Sequence, residues 1–193
     1  MFESNITKAE INELPLNRYE GTVLLIEEKE AISPAIAEIN QFSIVGFDTE
    51  TKPVFVKGQY NHVALVQIAT PEKVYLFRIN KTGLTQELID LFENENMKKV
   101  GVGLADDLVF LKRIKPFNPN HFKEVNELVN DLNIEANGLR KLTAIILGFR
   151  ISKNAQVSNW EAKTLNEKQI RYAATDAWVC LEMYERIKGE IDR

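Results

Sequence analysis

The sequence predicts an α/β fold, a mixed central β-sheet flanked by α-helices in a single domain. Three observations carry that expectation. Strand-like and helix-like runs alternate from Tyr19 onward, and after Phe77 the hydrophobic pattern turns mostly helical. The third is size: 193 residues, 45% hydrophobic and 27% charged, suit one folded domain. Neither an internal repeat nor a Gly/Ser linker divides the chain.

Taken in order, residues 1–18 are a polar lead-in ending at Leu14, Pro15 and Leu16, expected as an arm packed on the domain of residues 19–193. Residues 21–26 (GTVLLI) read as a strand, and residues 33–39 as a helix with Ser33 as N-cap and Pro34 in its first turn. Residues 43–49 form a second strand. Residues 63–70 and 73–77 make a hairpin around Pro71 and Glu72. A helix over 85–92 places Leu88, Leu91 and Phe92 on one face, and a short buried strand at 100–102 runs into a helix over 104–114. The rest is helical at 125–132, 139–147 and about 166–187, with Gly138 and Gly148 as boundaries.

Composition excludes several classes. No apolar run approaches the roughly 20 residues of a membrane span. The opening MFESNITKAE lacks the pattern of a secretory signal. Cys180 is the one cysteine, so no intrachain disulfide forms and a reducing cytoplasm fits best; with two histidines, a Cys/His zinc site is disfavoured. A net charge of −4 argues against bulk electrostatic wrapping of nucleic acid, though not against holding a few nucleotides around bound cations.

Four acids and a tyrosine stand at informative positions. Asp48 and Glu50 end a strand at i and i+2, so alternation puts both carboxylates on one face. Two such anions repel, and a divalent cation would relieve them; a solvated strand edge with incidental acids is the plain alternative. In VGVGLADD, a strand passes through glycines into a helix whose stripe is Leu104, Leu108 and Leu111. Asp107 lies within that stripe, whereas Asp106 is rotated off it and suits a capping charge at the helix N-terminus. The third glycine of a dinucleotide fingerprint would fall at Asp106, so that motif fails. Tyr172 and Asp176 share a helical face at i and i+4, with small residues between them that admit a close neighbour. A core tyrosine bonded to an aspartate and a metal ligand beside a water-orienting phenol both fit that spacing.

Together these residues resemble the three motifs of the DEDD 3′–5′ exonucleases, most closely the branch of the Werner-syndrome-type exonuclease domain and ribonuclease D. FDTET, VALVQIAT with VYLFRI, VGVGLADD, SNWE and YAATDA occur in the family's order, across about residues 19–187. Arg171 occupies the place of the histidine of one subtype and Tyr172 that of the other, so the resemblance is to the tyrosine subtype. It implies a ribonuclease-H-like sheet, two Mg²⁺ or Mn²⁺ ions, and hydrolysis from the 3′ end to nucleoside 5′-monophosphates. Asp48 would bridge both ions, Glu50 and Asp176 complete one site, Asp107 hold the other, and Tyr172 orient the attacking water. The chain ends soon after its last motif helix, so a stand-alone domain is expected.

Lys52, Lys57, Tyr60, Asn61 and His62 follow the first motif and are candidate contacts to substrate, or else a solvated loop. Lys112, Arg113 and Lys115, or Arg140 and Lys141, could touch the strand or simply be solvated helix faces. Trp160, Trp178 and Cys180 read as structural, and Gln67 and Thr70 as serving the sheet. The partner expected is a nucleic-acid 3′ end, DNA ahead of RNA, with no membrane. RNA trimming, a catalytically dead binding module and a small-molecule phosphatase are the alternatives; presence of all four acids and Tyr172 favours activity.

Overall fold

The computed structural model describes residues 2–56 and 58–191. Its centre is a six-stranded sheet in the order β1–β4–β3–β2–β5–β6. The strands are β1 (Thr22–Ile26), β2 (Ile44–Thr51), β3 (Val63–Ala69), β4 (Lys73–Phe77), β5 (Lys98–Gly101) and β6 (Phe122–Glu124). β3 alone runs against its neighbours, because the tight hairpin to β4 and the long return from β2 both reverse the chain there. The remaining pairings, β1 with β4, β2 with β5 and β5 with β6, are parallel. Thr70 closes the hairpin as expected, its Oγ1 donating to the Lys73 carbonyl at 2.9 Å.

The helices are α1 (Lys8–Glu13), α2 (Ile32–Ile39), α3 (Ile79–Thr82), α4 (Gln86–Glu93), α5 (Leu104–Ile114), α6 (Val125–Leu128), α7 (Leu139–Leu147) and α8 (Glu167–Ile191). One face of the sheet buries Val45, Phe47, Val66, Ile68 and Phe77 against Ile36 and Ile39 of α2, Leu88 and Phe92 of α4 and Leu111 of α5. The other face buries Leu65, Ala69 and Leu76 beneath Ala173, Ala174 and Ala177 of α8. Leu142 and Ile146 of α7 then pack on Met183 and Ile187, further along α8. α8 begins with a reciprocal cap, Asn166 Oδ1 accepting from the Gln169 N–H at 3.0 Å and Gln169 Oε1 from the Asn166 N–H at 3.1 Å.

Several elements differ from the expectation. α2 starts at Ile32, fed by a 3₁₀ turn over Lys29–Ala31, so Ser33 lies inside it and is no N-cap. Its hydroxyl instead donates to Glu87 of α4 at 3.1 Å. The helix expected over 125–132 divides into α6 and a 3₁₀ turn, Val129–Leu132. α3 and β6, four and three residues long, are additional. Residues of the lead-in dock on the domain: α1 buries Ile11, and Asn17 and Arg150 exchange backbone hydrogen bonds with each other's segment at 2.9 Å. Among the described residues no helix is long and apolar enough to cross a membrane.

Candidate metal centre and cleft

Alternation along β2 sends Val45 and Phe47 into one core and turns Gly46, Asp48 and Glu50 toward α8. Gly46 lets the helix come close: a Cβ there would stand 2.0 Å from the Ala177 carbonyl oxygen. With alanines on the facing side of α8, Asp176 is carried up to the end of β2. One oxygen each from Asp48, Glu50 and Asp176 then lies within 4.8 Å of the others. Tyr172, one turn earlier on α8, shares a helical face with Asp176, and its hydroxyl favours the charged form of the Asp176 carboxylate. Its ring rests near Trp160, 6.0 Å between centroids, and Trp160 is fully buried, which fits the packing role expected of it.

Asp107 arrives from the opposite face of the sheet. Gly103, in the left-handed conformation at φ 80°, turns the chain from β5 into α5. Asp107 is half-buried, and its Oδ1 accepts from the Thr49 hydroxyl at 2.5 Å. Asp106 is exposed, which agrees with its place off the apolar stripe. It lies in the first turn of α5, where its charge favours the macrodipole, but among the described residues it makes no capping hydrogen bond. Glu124 of β6 caps the turn instead, its Oε2 accepting from the Gly103 and Leu104 N–H groups at 2.8 and 2.9 Å.

Burial and mutual repulsion make these acids reluctant to ionise. Asp48 is held well above the ordinary carboxylate range by burial first, then by Asp176 and Asp107. Glu50 is pushed up to about 10 by burial, with Asp48, Asp176 and Asp107 adding to it. Burial raises Asp176 to about 7 against the stabilising Tyr172 hydrogen bond, and Asp107 to about 6 against that of Thr49. Tyr172 is raised by burial and then by Asp176, so its phenol stays protonated and remains a donor. Among the described residues no lysine or arginine forms an ion pair with any of the four acids. A buried, oxygen-only donor set without a protein counter-cation fits divalent metal ions.

The three clustered acids and Tyr172 line a cleft of about 600 Å³. Its other walls carry Lys8 of α1, Arg140 and Lys141 of α7, and Lys153. Cations in the first turn of α7 run against the helix macrodipole, a signal available in the sequence once Gly138 marks the start of that helix. Lys8, Lys153 and Glu124 were not singled out from the sequence.

The loop after β2 is placed differently from the cleft walls. Lys52 pairs with Glu161 at 3.3 Å, and Asn61 Nδ2 donates to the Lys52 carbonyl at 2.8 Å, so both brace the loop. Tyr60 and His62 are exposed, with the Arg113 guanidinium 4.6 Å from the Tyr60 ring centre. None of these four is among the residues lining the cleft, and Lys57 lies outside the described residues. Lys115 is likewise engaged elsewhere, with Gln86 at 2.9 Å. Gln67 is fully buried opposite Asp48, its amide without a hydrogen-bond partner.

Comparison with known proteins bears on this arrangement. A family model described as 3′–5′ exonuclease matches residues 23–192. The mouse bifunctional 3′-5′ exonuclease/ATP-dependent helicase WRN is 32% identical over 184 residues, covering 90% of this chain and 13% of that protein. An exonuclease mut-7 homolog of Aedes aegypti is 27% identical over 199 residues, 89% of this chain and 27% of that one. The chain therefore spans about a quarter or less of these two relatives. Among solved structures, the Aedes aegypti Nibbler EXO domain superposes with a TM-score of 0.82 at 23% identity, over 91% of this chain and 93% of that one. Escherichia coli RNase D gives 0.79 at 20% identity, over 89% and 45%. At these identities the likeness is one of fold, and it is the ribonuclease-H-like fold that the motifs imply.

Proposed function

The chain belongs to the 3′–5′ exonuclease family, and from that premise we propose that it removes nucleotides from the 3′ end of a nucleic-acid strand as nucleoside 5′-monophosphates. One observation carries the reading above the others: Asp48, half-buried, converges with the buried Glu50 and Asp176 without a counter-cation among the described residues, beside a protonated tyrosine, in a cleft walled by cations.

Asp48 would bridge two Mg²⁺ or Mn²⁺ ions, Glu50 and Asp176 would complete one site, and Asp107 would hold the other. Such a pair of ions stabilises the charge that develops on the attacking and leaving oxygens of an in-line displacement. The protein's own contribution is position. Tyr172 donates from a fixed helix and can orient the water for attack, with Glu50 able to share that hydrogen bond. Lys8, Arg140, Lys141 and Lys153 are available to the strand's phosphates, which fixes its register rather than its sequence. DNA is proposed ahead of RNA on the Werner-type look of VGVG and SNWE. A reducing cytoplasm suits the free, buried Cys180.

The test is a 5′-labelled single strand and a recessed duplex, each as DNA and as RNA, with Mg²⁺ or Mn²⁺. A ladder shortening from the 3′ end, abolished by EDTA and by Asp48→Ala, is expected and ranks the two sugars. No ladder on any substrate, with Asp48→Ala indistinguishable from the unmodified chain, would overturn the reading.

A further inference from the structure

α5 brings Asp107 to the centre, yet it has no N-cap side chain of its own, since Gly103 holds that place. Its first residues, Gly103, Ala105 and Asp106, face solvent. Leu104 of this turn is buried in the core, and the turn's open backbone N–H groups are held by a carboxylate twenty residues further along. Glu124 stands at the end of the edge strand β6, paired with Gly101 of β5, and takes the Gly103 and Leu104 N–H groups on one oxygen. Its second oxygen accepts from the Asn126 backbone N–H at 3.1 Å and from Asn126 Nδ2 at 2.8 Å. The four acceptor positions of a carboxylate are thereby filled. The Asn126 side chain continues the chain of contacts, its Oδ1 accepting from the Gly138 N–H at 3.0 Å where α7 begins. One carboxylate thus references both the helix that bears Asp107 and the helix that bears Arg140 and Lys141.

We propose that Glu124 is a positioning residue for Asp107, holding the first turn of α5 at the height where that carboxylate completes the second metal site. The inference rests on the two-ion reading above. Among the described residues the Thr49 hydroxyl is the hydrogen-bond partner of the Asp107 carboxylate, and it fixes that carboxylate but not the helix turn beneath it. Partners one step removed from a metal commonly govern its affinity by about 10–100-fold when altered.

Glu124→Gln keeps the shape and replaces one acceptor oxygen by a donor, so either α5 or Asn126 meets a like group. The experiment is Mn²⁺ titration followed by the EPR signal of free Mn²⁺, with a nucleoside 5′-monophosphate present. The unmodified chain, Glu124→Gln, Asp107→Asn and Asp48→Asn are compared. The expected result is two ions on the unmodified chain, one lost in Asp107→Asn, and in Glu124→Gln one site unchanged with the other weakened about 10-fold or more. The Mn²⁺ concentration giving half-maximal kcat rises in parallel. Two ions bound to Glu124→Gln as tightly as to the unmodified chain would overturn the inference and leave the two-ion reading standing. No binding to the unmodified chain would overturn both. Should Glu124→Gln not fold, Glu124→Asp, which keeps the charge and withdraws the acceptor, is read the same way: a weakened second site supports the inference, unchanged binding refutes it.

Discussion

Replacing Gly46 by alanine asks whether the close approach of α8 to β2 builds the acid centre. The new Cβ would stand 2.0 Å from the Ala177 carbonyl oxygen and 3.1 Å from the Leu181 nitrogen, where ordinary contact begins at 3.4 Å. Both obstacles are backbone, so no side-chain rotation relieves them, and helix and strand must part by more than 1 Å. Overpacking of this kind costs about 1–3 kcal/mol, and a rigid partner places Gly46→Ala at the upper end. For a chain of this size that lowers Tm by roughly 6–12 °C. The chemistry suffers separately, because Asp176 adjoins Ala177 and moves with it away from Asp48 and Glu50. A displacement of about 1 Å can reduce turnover about 100-fold. The assay pairs thermal unfolding with single-turnover hydrolysis of a 5′-labelled strand. Gly189→Ala serves as the control, since a Cβ at that exposed helical glycine meets nothing within 4 Å. It should be neutral or stabilising by about 0.5–1 kcal/mol. A Gly46→Ala protein with unchanged Tm and unchanged turnover would refute the reasoning.

Other consequences follow from the same geometry. In EDTA the folded chain keeps protons on Asp176, at about 7, and Asp107, at about 6, that the unfolded chain releases near its ordinary value of 3.8. More protons on the folded state mean stability falls as pH rises through that window. Tm in EDTA should therefore decline from about pH 4 to about pH 7 more steeply for the unmodified chain than for Asp176→Asn, with Mn²⁺ restoring most at the upper end; equal slopes would contradict this. Tyr172→Phe removes the donor while keeping the ring against Trp160, so kcat should fall about 100-fold with Mn²⁺ binding retained. An unchanged kcat would remove Tyr172 from the chemistry. Arg78 is 0% exposed and ties Glu27, at 2.8 Å, to the carbonyls of Trp160, Ala162 and Lys163. Arg78→Met should cost about 3–5 kcal/mol in denaturant unfolding, because Glu27 and those carbonyls lose their shared donor. A neutral result would mean this fork does not anchor the segment carrying Trp160.

The parts of the site legible in the sequence are those a single element specifies. Period-2 spacing puts Asp48 and Glu50 on one face of β2, and an acid within an apolar helical stripe singles out Asp107 from Asp106. The i, i+4 spacing of Tyr172 and Asp176 likewise needs only one helix. What joins them is not local. Lys8, Arg140 and Lys153 come from three separated segments, and only the folded chain shows that they face one cleft. Lys52, Asn61 and His62 adjoin the first motif in sequence, which makes them candidate substrate contacts, yet Lys52 and Asn61 are taken up in bracing their own loop. β6 leaves no signal in the sequence because Phe122, Lys123 and Glu124 are three residues on an edge, too few for alternation to register. Ser33 and Pro34 looked like a helix start by composition, but the 3₁₀ turn before them already supplies helical backbone.

The claim that the four carboxylates hold a pair of catalytic cations is tested most directly by diffraction from crystals soaked in Mn²⁺ with a nucleoside 5′-monophosphate. Anomalous scattering should show two peaks, both touching Asp48, one shared with Glu50 and Asp176 and the other with Asp107, and none in crystals of Asp48→Asn. Density for no ion at these acids, or for ions bound equally well without Asp48, would contradict the account.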